Sequence, residues 1–457
     1  MTAPLSRRRF LQLSGAATAA AAGTTLLSAC GGSSGSSSAT QTDFWYAFGD
    51  NNTQKYWQQH IIDAYNKTAK DKVVMSLKQV STLDRLLQTA VAAGNGPDII
   101  STSGPATALS YVNSGNLLPL DPYVDKYGWS QTFLPWALET GRVGGKLYSL
   151  PASYETMAIF YNPDTFAKHG WKPPTTRAEF EAICTDAASK GIMPVGAGNA
   201  DYQPASEWHV TWVWNTYAGP QALYEALTGK RKWTDPVFVD AITMLKAWFD
   251  KGWFGGGTDR YFTNKFATLY QKLATGQSAM QVSGSWSFTE IAPYFGKAAG
   301  NSATWDWAPL PSTNSAVPAG VFPLSIGNVF SINKDSKNPD AAAAFLNYIE
   351  TDSARQLQAL AAVGQEPTPI KLAAADFPSS TDPRMKRQYL QLIAAKNVGY
   401  TTWTFWPNKT ETYINTQINK VFTGQLSPKD FCAGVDALFQ PEFKAGKVPP
   451  VPAPTGA

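Results

Sequence analysis

The chain has 457 residues, of which 44% are hydrophobic, and its formal net charge is +4. This length exceeds what one hydrophobic core usually covers, so the sequence predicts two domains. Arg7, Arg8 and Arg9 lie in a segment that we expect to be removed, and residues 1–29 hold no acid, so the net charge falls from +4 to +1 in the mature chain. Such a nearly neutral chain argues against nucleic acid as a partner.

The N-terminal segment indicates export. Residues 6–12, SRRRFLQ, show the twin-arginine pattern, and the Ala-rich stretch after them is too weakly apolar for a membrane span. LSAC at 27–30 resembles the bacterial lipobox, which implies cleavage before Cys30 and acylation of its thiol. A cysteine placed there by chance is the alternative. We therefore predict a twin-arginine lipoprotein signal peptide at 1–29 and an exported protein anchored to the outer face of the cell membrane by lipidated Cys30.

Residues 30–40 are predicted to be the lipidated cysteine and a flexible tether, because they are rich in Gly and Ser. The stretch from Gly31 to Gly35 matches G-x-S-x-G. It lacks the strand and helix that a nucleophile elbow needs, so it does not indicate a hydrolase.

The next part of the chain alternates strands with helices. Apolar runs at 43–48, 73–77 and 98–101 predict strands, and the helical spacing of apolar residues at 54–69 and 83–91 predicts helices between them. This pattern is typical of an open α/β sheet, whose ligands bind at the carboxyl ends of the strands.

Three polar residues are expected at such strand ends. Asp50 lies in the turn after the first strand, and Thr102 and Ser103 follow the third strand. Asp50 could equally cap the helix that begins near Thr53.

Residues 145–166 change character midway and predict a crossing between two lobes. GKLYSLP has the marks of a strand that ends in a bend at its proline, and a new apolar run from Met157 to Tyr161 is stopped by Asn162 and Pro163. Glu155 lies between these runs, where a cleft between domains would present a ligand-facing acid. A solvated loop acid is the alternative.

Later segments predict further helices. Thr176 and Glu179 form a capping-box pattern for a helix through residue 190. Trp208 and Trp212 are four residues apart on one predicted helix, so one of them can pack inside while the other faces the cleft. We also predict a strand at 278–282, helices after 338, at 410–423 and after 427, and a loose Pro-rich tail at 447–457.

Several motifs occur in a fixed order along residues 41–445. They are AGNGPDII at 93–100, SGNLLPLDPYV at 114–124, GKLYSLP at 145–151, YNPDTF at 161–166, PPTTRAEF at 173–180, TGQSAMQVSGSW at 275–286 and NKDSKNPDAAAAFLNYI at 333–349. Each motif alone is weak. In this order and spacing they resemble the extracellular solute-binding proteins of carbohydrate ABC importers, the maltose-binding-protein-like class.

The resemblance implies an α/β fold with two lobes that close over a ligand by hinge motion. It places the hinge crossings near Ser153, near Pro309, and between Gly364 and Pro369. Lobe one would then comprise residues 41–152 and 311–365, and lobe two residues 153–310 and 366–457. The ligand would bind in the cleft between them.

The resemblance also implies roles for particular residues. Glu155 matches the family's hydroxyl-binding acid, Trp286 and Trp406 match aromatic residues that stack on sugar faces, and Trp208 matches a further aromatic residue of the second lobe. The candidate ligand-binding set is completed by Trp45, Asp50, Thr102, Ser103, Gly327, Asn328 and Trp403. Core packing is the alternative for the tryptophans, and a simple turn or bulge for Gly327 and Asn328.

One position departs from the family pattern. After the strand that ends in PDII, relatives that bind maltose carry a Trp and a charged pair, whereas this chain has Thr102, Ser103 and Gly104. The sequence therefore does not favour malto-oligosaccharide itself.

Cysteine and histidine give no sign of a cofactor. Cys184 and Cys432 remain after lipidation, and either a disulfide or two buried thiols is compatible with an exported protein. The histidines are scattered and match no zinc spacing, so we expect neither a metal nor a cofactor.

The leading hypothesis is a monomer that captures a mono- or oligosaccharide and delivers it to ABC permease subunits, without catalysis. One alternative is a secreted glycoside hydrolase that uses two of Glu155, Glu207 and Asp50 as its acids. Another is a binding protein for a non-sugar solute such as a polyamine, since acids and aromatic rings also bind cations.

Overall fold

The computed structural model describes residues 41–47, 51–79 and 82–454, all within one compact unit, Thr40–Ala457. The predicted signal peptide, Cys30, the tether and Asp50 lie outside the described residues. None of the described helices is both long and apolar enough to cross a membrane.

A mixed β-sheet organises the molecule. Its strand order is β2-β1-β3-β10-β6-β8-β7, with β11 beside β10 and β9 beside β6, while β4 and β5 form a separate hairpin. The strands are β1 Gln41–Tyr46, β2 Lys72–Leu77, β3 Ile99–Thr102, β4 Arg142–Val143, β5 Lys146–Leu147, β6 Leu150–Tyr161, β7 Met193–Gly196, β8 Ser278–Gly284, β9 Asp306–Pro309, β10 Phe322–Ile332 and β11 Val398–Tyr400.

Helices fill the connections between the strands. In the first half they are α1 Asn51–Tyr56, which continues through a π-helical segment Trp57–Ile62 into α2 Asp63–Thr68, α3 Leu83–Ala92, α4 Gly104–Asn113, α5 Asp121–Tyr127, α6 Trp129–Thr132, α7 Pro135–Glu139, α8 Pro163–His169, α9 Arg177–Ser189 and α10 Ala205–Val213. In the second half they are α11 Pro220–Leu227, α12 Pro236–Asp250, α13 Thr258–Tyr261, α14 Phe266–Ala274, α15 Ser287–Ile291, α16 Pro339–Glu350, α17 Ser353–Val363, α18 Pro383–Ile393, α19 Asn408–Phe422 and α20 Pro428–Lys444.

The predicted alternation of strands and helices in the first part of the chain is confirmed. Strand β1 pairs in parallel with both β2 and β3, so their carboxyl ends meet at one edge of the sheet. The capping box is also confirmed, since the Thr176 hydroxyl accepts from the Glu179 amide and the Glu179 carboxylate accepts from the Thr176 amide.

Strands β6 and β10 carry the chain from one part of the sheet to the other. Strand β6 pairs with β10 over Leu150–Thr156 and with β8 and β9 over Met157–Tyr161. The prediction of a bend at Pro151 is wrong, because the strand continues through the proline. Its partner β10 changes register around Asn328, and strands tolerate a proline, which cannot donate a ladder hydrogen bond, at such irregular positions.

Two large hydrophobic cores lie on the sheet. The first includes Phe44 of β1 together with Phe160 of β6 and Phe288 of α15, so it draws on residues from both predicted lobes. The second is built largely from residues after 157 and packs α10, α12, α19 and α20. Six of the tryptophans are fully buried in these cores, namely Trp129, Trp212, Trp214, Trp233, Trp248 and Trp406.

The two cysteines left open by the sequence are both buried free thiols. Cys184 lies on α9 and Cys432 on α20, within the second core. Burial raises the pKa of the Cys432 thiol to about 12, so it stays protonated and unreactive.

The C-terminal tail packs against the protein as far as residue 454, contrary to the prediction that it is loose. Val448 and Val451 lie against the second core, and the Tyr400 hydroxyl donates to the Pro452 carbonyl at 2.6 Å. The side-chain amide of Asn113 on α4 donates to the Gly446 carbonyl. The composition of this segment suits the role, because its prolines keep the chain extended while the two valines pack partly buried against the core.

Deletion of residues 446–457 is expected to lower the melting temperature by a few degrees. The truncation removes two partly buried valines, worth about 1 kcal/mol each. Scanning calorimetry measures the effect, and deletion of residues 455–457 alone is the control. Identical melting temperatures for the two truncated proteins would contradict the packed tail.

Candidate ligand-binding cleft

A cavity of about 550 Å³ opens between the predicted lobes. Tyr46 and Thr53 line it from lobe one, Ser153 and Asn328 from the crossing strands, and Trp286 from lobe two. Its volume lies within the range of roughly 300–1,000 Å³ that is typical of small-molecule sites. The other lining residues used below are Tyr270, Ser285, Glu290, Tyr294, Glu350 and Glu366.

A row of aromatic rings, Tyr202, Trp208, Trp286 and Trp403, meets this cleft at Trp286, which lines the cavity; we call the row the aromatic wall. The Trp208 and Trp286 ring centroids are 5.0 Å apart, and those of Trp286 and Trp403 are 5.9 Å apart with nearly perpendicular planes. Tyr202 lies 6.1 Å from Trp208 and is about half exposed, with 49% of its surface accessible. The rings come from three separate segments, so only tertiary folding assembles them.

Helix α10 divides its tryptophans as predicted. Trp212 is fully buried against Phe180 and Trp248, whereas Trp208 is partly exposed and belongs to the aromatic wall. One residue of the pair therefore supports the core, and the other contacts Trp286 in the aromatic wall.

Trp286 is held just after the end of β8. Its ring folds back over Gly284, where any Cβ would overlap the indole. Glycine is thus required at position 284 because the Trp286 ring lies close to the backbone there, and not because the backbone adopts an unusual dihedral angle. The adjacent Ser285 backbone amide donates to the Thr156 carbonyl at 2.9 Å, which ties the turn to the crossing strand β6.

Glu155 lies on β6 next to the aromatic wall. The Trp403 indole Nε1–H donates to its carboxylate at 2.8 Å, which links the predicted acid to one of the predicted rings. Burial raises the pKa of Glu155 to about 7, and the hydrogen bond from Trp403 partly offsets that effect. An acid with this pKa can accept or donate hydrogen bonds near neutral pH.

Gly327 and Asn328 form a β-bulge in β10, which is the alternative that the sequence offered to ligand binding at these two positions. The register with β6 shifts on both sides of Asn328, whose side-chain amide donates to the Ser153 hydroxyl at 3.3 Å. The bulge also serves the site, because the Glu155 carboxyl group occupies the space that a side chain at Gly327 would need. Asn328 itself lines the cavity.

The Gly327→Ala change is expected to weaken ligand binding by about tenfold with little loss of stability. The new methyl group displaces the flexible Glu155 side chain and not the backbone, so the hydrogen bond with Trp403 is lost while the fold remains. Isothermal titration with the ligand and a melting curve measure the two effects. Ser189→Ala at the exposed end of α9 is the control. Unchanged affinity in the Gly327 variant would show that the position of Glu155 does not matter.

Three acids that line the cavity were not predicted from the sequence. They are Glu290, Glu350 and Glu366. Burial raises the pKa of both Glu350 and Glu366 to about 8. The sequence contains a signal for Glu366, because this residue lies in the third predicted crossing, between Gly364 and Pro369, just as Glu155 lies in the first. Glu290 is one helical turn after Trp286.

Trp406 is placed differently from the prediction. Its ring is fully buried in the second core, against Trp214, Trp233 and Phe439, so it has no face to offer a sugar. Its Nε1–H donates to the Glu207 carboxylate at 2.8 Å. The structure therefore supports core packing, and not ligand stacking, as the role of Trp406.

Glu207 is equally unsuited to be a catalytic acid. Its buried carboxylate accepts from Trp406, from Thr402 at 2.6 Å and from Thr211 at 3.2 Å. Burial raises its pKa to about 8, and these hydrogen bonds oppose the shift. A carboxylate engaged by three neighbours has a structural role in joining α10 to residues 402–406.

Of the predicted residues, Trp286 and Asn328 line the cavity, whereas Trp45, Thr102 and Ser103 neither line it nor belong to the aromatic wall. Trp45 points to the opposite face of β1 from Tyr46 and is covered by the Lys78 ammonium, 4.2 Å from its ring centroid. Thr102 is buried, with 1% of its surface exposed. The Ser103 hydroxyl donates to Asp84 at 2.6 Å, so the predicted end of β3 holds an acid in place.

These features define an α/β protein with two lobes and a ligand cleft between them. Among solved structures, a chitin oligosaccharide binding protein superposes with a TM-score of 0.75 at 21% identity, covering 89% of this chain and 99% of that one. Residues 50–356 match the family of bacterial extracellular solute-binding proteins. The chain belongs to this family.

Two relatives by sequence carry names that state their ligands. The alpha-glucosides-binding periplasmic protein of Rhizobium meliloti is 25% identical over 365 residues, which is 75% of this chain and 75% of that protein. The maltodextrin-binding protein of Bacillus subtilis is 24% identical over 311 residues, which is 66% of this chain and 68% of that protein.

Proposed function

We propose that this protein captures a mono- or oligosaccharide between its two lobes and delivers it to the membrane subunits of an ABC importer. The observation that carries the proposal is a cavity of about 550 Å³ lined by Trp286, whose ring belongs to the aromatic wall beside Glu155. A sugar presents C–H bonds on its faces and hydroxyls around its rim, so its recognition needs flat rings and acceptors in this arrangement. The sugar-binding relatives support the same class of ligand.

The energies are sufficient for capture at micromolar concentration. Burial of one ring face, on the order of 100 Å², contributes roughly 2 kcal/mol. Each carboxylate that accepts a sugar hydroxyl adds about 1.5–3 kcal/mol. Trp286 with one further ring, and Glu155 with one further acid, therefore approach the roughly 8 kcal/mol of a micromolar complex.

Binding without turnover is part of the proposal. A glycoside hydrolase needs two carboxyl groups about 5–9.5 Å apart and free to act on the bond. Of the acids considered for that role, Glu207 is occupied by Trp406, Thr402 and Thr211. Asp50 lies outside the described residues.

Membrane attachment is proposed from the sequence alone. The twin-arginine pattern at 6–12 and LSAC at 27–30 support export and acylation of Cys30. Mass spectrometry of the membrane fraction tests this proposal, with a Cys30→Ala variant as control. Recovery of unmodified, soluble protein with an intact Cys30 would refute it.

A thermal-shift screen of residues 31–457 against mono-, di- and oligosaccharides tests the binding function. A ligand at about 100 times its dissociation constant adds about 2.7 kcal/mol of stability, which a melting curve detects. Chromatography of the ligand after incubation shows whether it is recovered intact. Conversion to shorter sugars would favour the hydrolase, and the absence of any shift with sugars would reject carbohydrate capture.

A further inference from the structure

The charged residues of the cleft have one sign only. Glu290, Glu350 and Glu366 line the cavity, and the described lining residues include no Lys, Arg or His. Glu155 joins them through Trp403, whose ring contacts Trp286, and its charge acts on Glu366. A neutral sugar does not require several acids and no base, because amides and hydroxyls also bind its hydroxyl groups.

The partners of these acids within the protein are neutral. Glu290 accepts from the Tyr270 hydroxyl, Glu350 from the Thr368 hydroxyl, and Glu155 from the Trp403 indole. None of the ion pairs between described residues involves Glu155 or the three lining acids. Any positive charge that compensates them in this part of the molecule is therefore expected to come with the ligand.

Glu366 is the acid with an unfilled position. Within the described part of the chain, its Oε1 atom is shielded from solvent and has no hydrogen-bond partner. A buried carboxylate oxygen without a donor is costly, since it has lost water and gained nothing in exchange. The residue lines the cavity beside Ser285 and Trp286, so rotation of its carboxyl group toward the cavity presents Oε1 to a donor on the ligand.

We propose that the ligand of this cleft is a carbohydrate bearing a protonated amine, whose ammonium group is held by Glu366 and Glu155 while its ring lies against Trp286. This proposal rests on the proposed function and names its substrate class. An ammonium group satisfies carboxylates through charge-assisted hydrogen bonds, and aromatic faces attract cations. The aromatic wall and the acids thus act on one ligand.

The pH dependence of binding follows from the same groups. The titratable groups that line the cavity with Glu366 are Glu290 on α15, Glu350 on α16, Tyr46 on β1, Tyr270 on α14, and Tyr294. Glu155 on β6 is not a lining residue, but its charge acts on Glu366. Burial raises the pKa of Glu366 to about 8 and that of Glu155 to about 7 in the ligand-free protein. Because a raised carboxyl pKa favours the protonated folded form, the stability of the ligand-free protein falls as pH rises from about 5 to about 8. An ammonium ligand prefers the ionised acids, so the melting shift that it produces grows over this range.

Matched sugars test the proposal directly. Isothermal titration compares glucose, glucosamine and N-acetylglucosamine, and their β-1,4-linked dimers, which differ only at the C2 substituent. Galactose and galactosamine, with mannose and mannosamine, extend the set to other ring stereochemistries. We expect at least one amine-bearing sugar to bind about tenfold tighter than its neutral counterparts. Equal or tighter binding by the neutral member of every pair would overturn the proposal.

A Glu366→Gln variant tests the residue. It keeps the size of the side chain and one acceptor oxygen, so we expect the affinity for the amine-bearing sugar to fall about tenfold and that for the neutral sugar to change less than about threefold. Glu225→Gln is the control, since Glu225 on α11 pairs with Arg231 away from the cleft. An equal loss for both sugars would show that Glu366 binds a hydroxyl or supports the fold.

Wild-type protein gives a readout that does not depend on the variant folding. The melting shift caused by the amine-bearing sugar is expected to grow between about pH 5.5 and about pH 7.5, whereas that caused by the neutral counterpart is not. A shift by the amine that stays constant or declines over this interval would contradict the proposal.

Putrescine and spermidine separate this inference from the proposed function. Binding of these amines with no response to any sugar would reject carbohydrate capture and leave amine recognition in place. Binding of neutral sugars without an advantage for amines would reject the inference and leave carbohydrate capture in place. Silence from the entire set would overturn both.

Discussion

Replacement of Trp286 by alanine is expected to weaken ligand binding by at least about tenfold while the melting temperature stays within a few degrees. The Trp286 ring is partly exposed, lies between Trp208 and Trp403 and lines the cavity. Removal of the ring takes away the largest apolar surface that the cleft offers to a sugar face. Isothermal titration and a melting curve, made on the same preparation, measure affinity and stability together.

Trp171→Ala is the matched control for this variant. Trp171 is also partly buried in lobe two, where its Nε1–H donates to Asp186 at 2.8 Å, and it is not among the residues that line the cavity. Its replacement is expected to leave affinity unchanged. A large fall in melting temperature for Trp286→Ala, with normal affinity in the protein that remains folded, would place Trp286 in the core instead.

Replacement of Trp406 by alanine is expected to do the reverse and destabilise the protein by about 3–5 kcal/mol. The variant leaves a cavity among Trp214, Trp233 and Phe439, and it removes a donor from the buried Glu207 carboxylate. Both losses act on the folded state. Urea denaturation followed by tryptophan fluorescence or circular dichroism measures the change.

Trp403→Ala provides the comparison, because the two residues are only three positions apart. Trp403 is partly exposed in the aromatic wall and donates to Glu155, so its loss is expected to reduce affinity more than stability. If Trp406→Ala left the denaturation midpoint unchanged and reduced sugar affinity instead, the buried position of Trp406 would be wrong and its predicted stacking role would be restored.

The opposite expectations for Trp403 and Trp406 show what the sequence could not separate. Both are tryptophans in one short segment before α19, and either could face a ligand. Burial decides between them: Trp406 has 0% of its surface exposed, and its indole N–H is satisfied by Glu207, which is itself inside the second core. No local sequence pattern shows which of the two rings, Trp403 or Trp406, will pack against α10.

The acids of the cleft also differ in whether the sequence can predict their position. Glu155 was found because it sits beside a chain crossing that the change in sequence character reveals, and the structure places its carboxylate against Trp403. Glu366 lies in another predicted crossing, so the same reasoning applies to it. Glu350 ends a helix in lobe one and shows no local sign of its position in the cavity, because only packing brings that helix end to the cleft.

The sequence by itself determined the order of elements, the capping of helices and the crossing at β6, because these depend on apolar periodicity and on residues close together in the chain. It also carried the ordered motifs that resemble sugar-binding proteins. Only the tertiary structure decided that Trp286, Trp403 and Glu155 share a site while Trp406 and Glu207 share a core. The physical reason is that side-chain exposure depends on contacts between distant segments, which no window of the sequence contains.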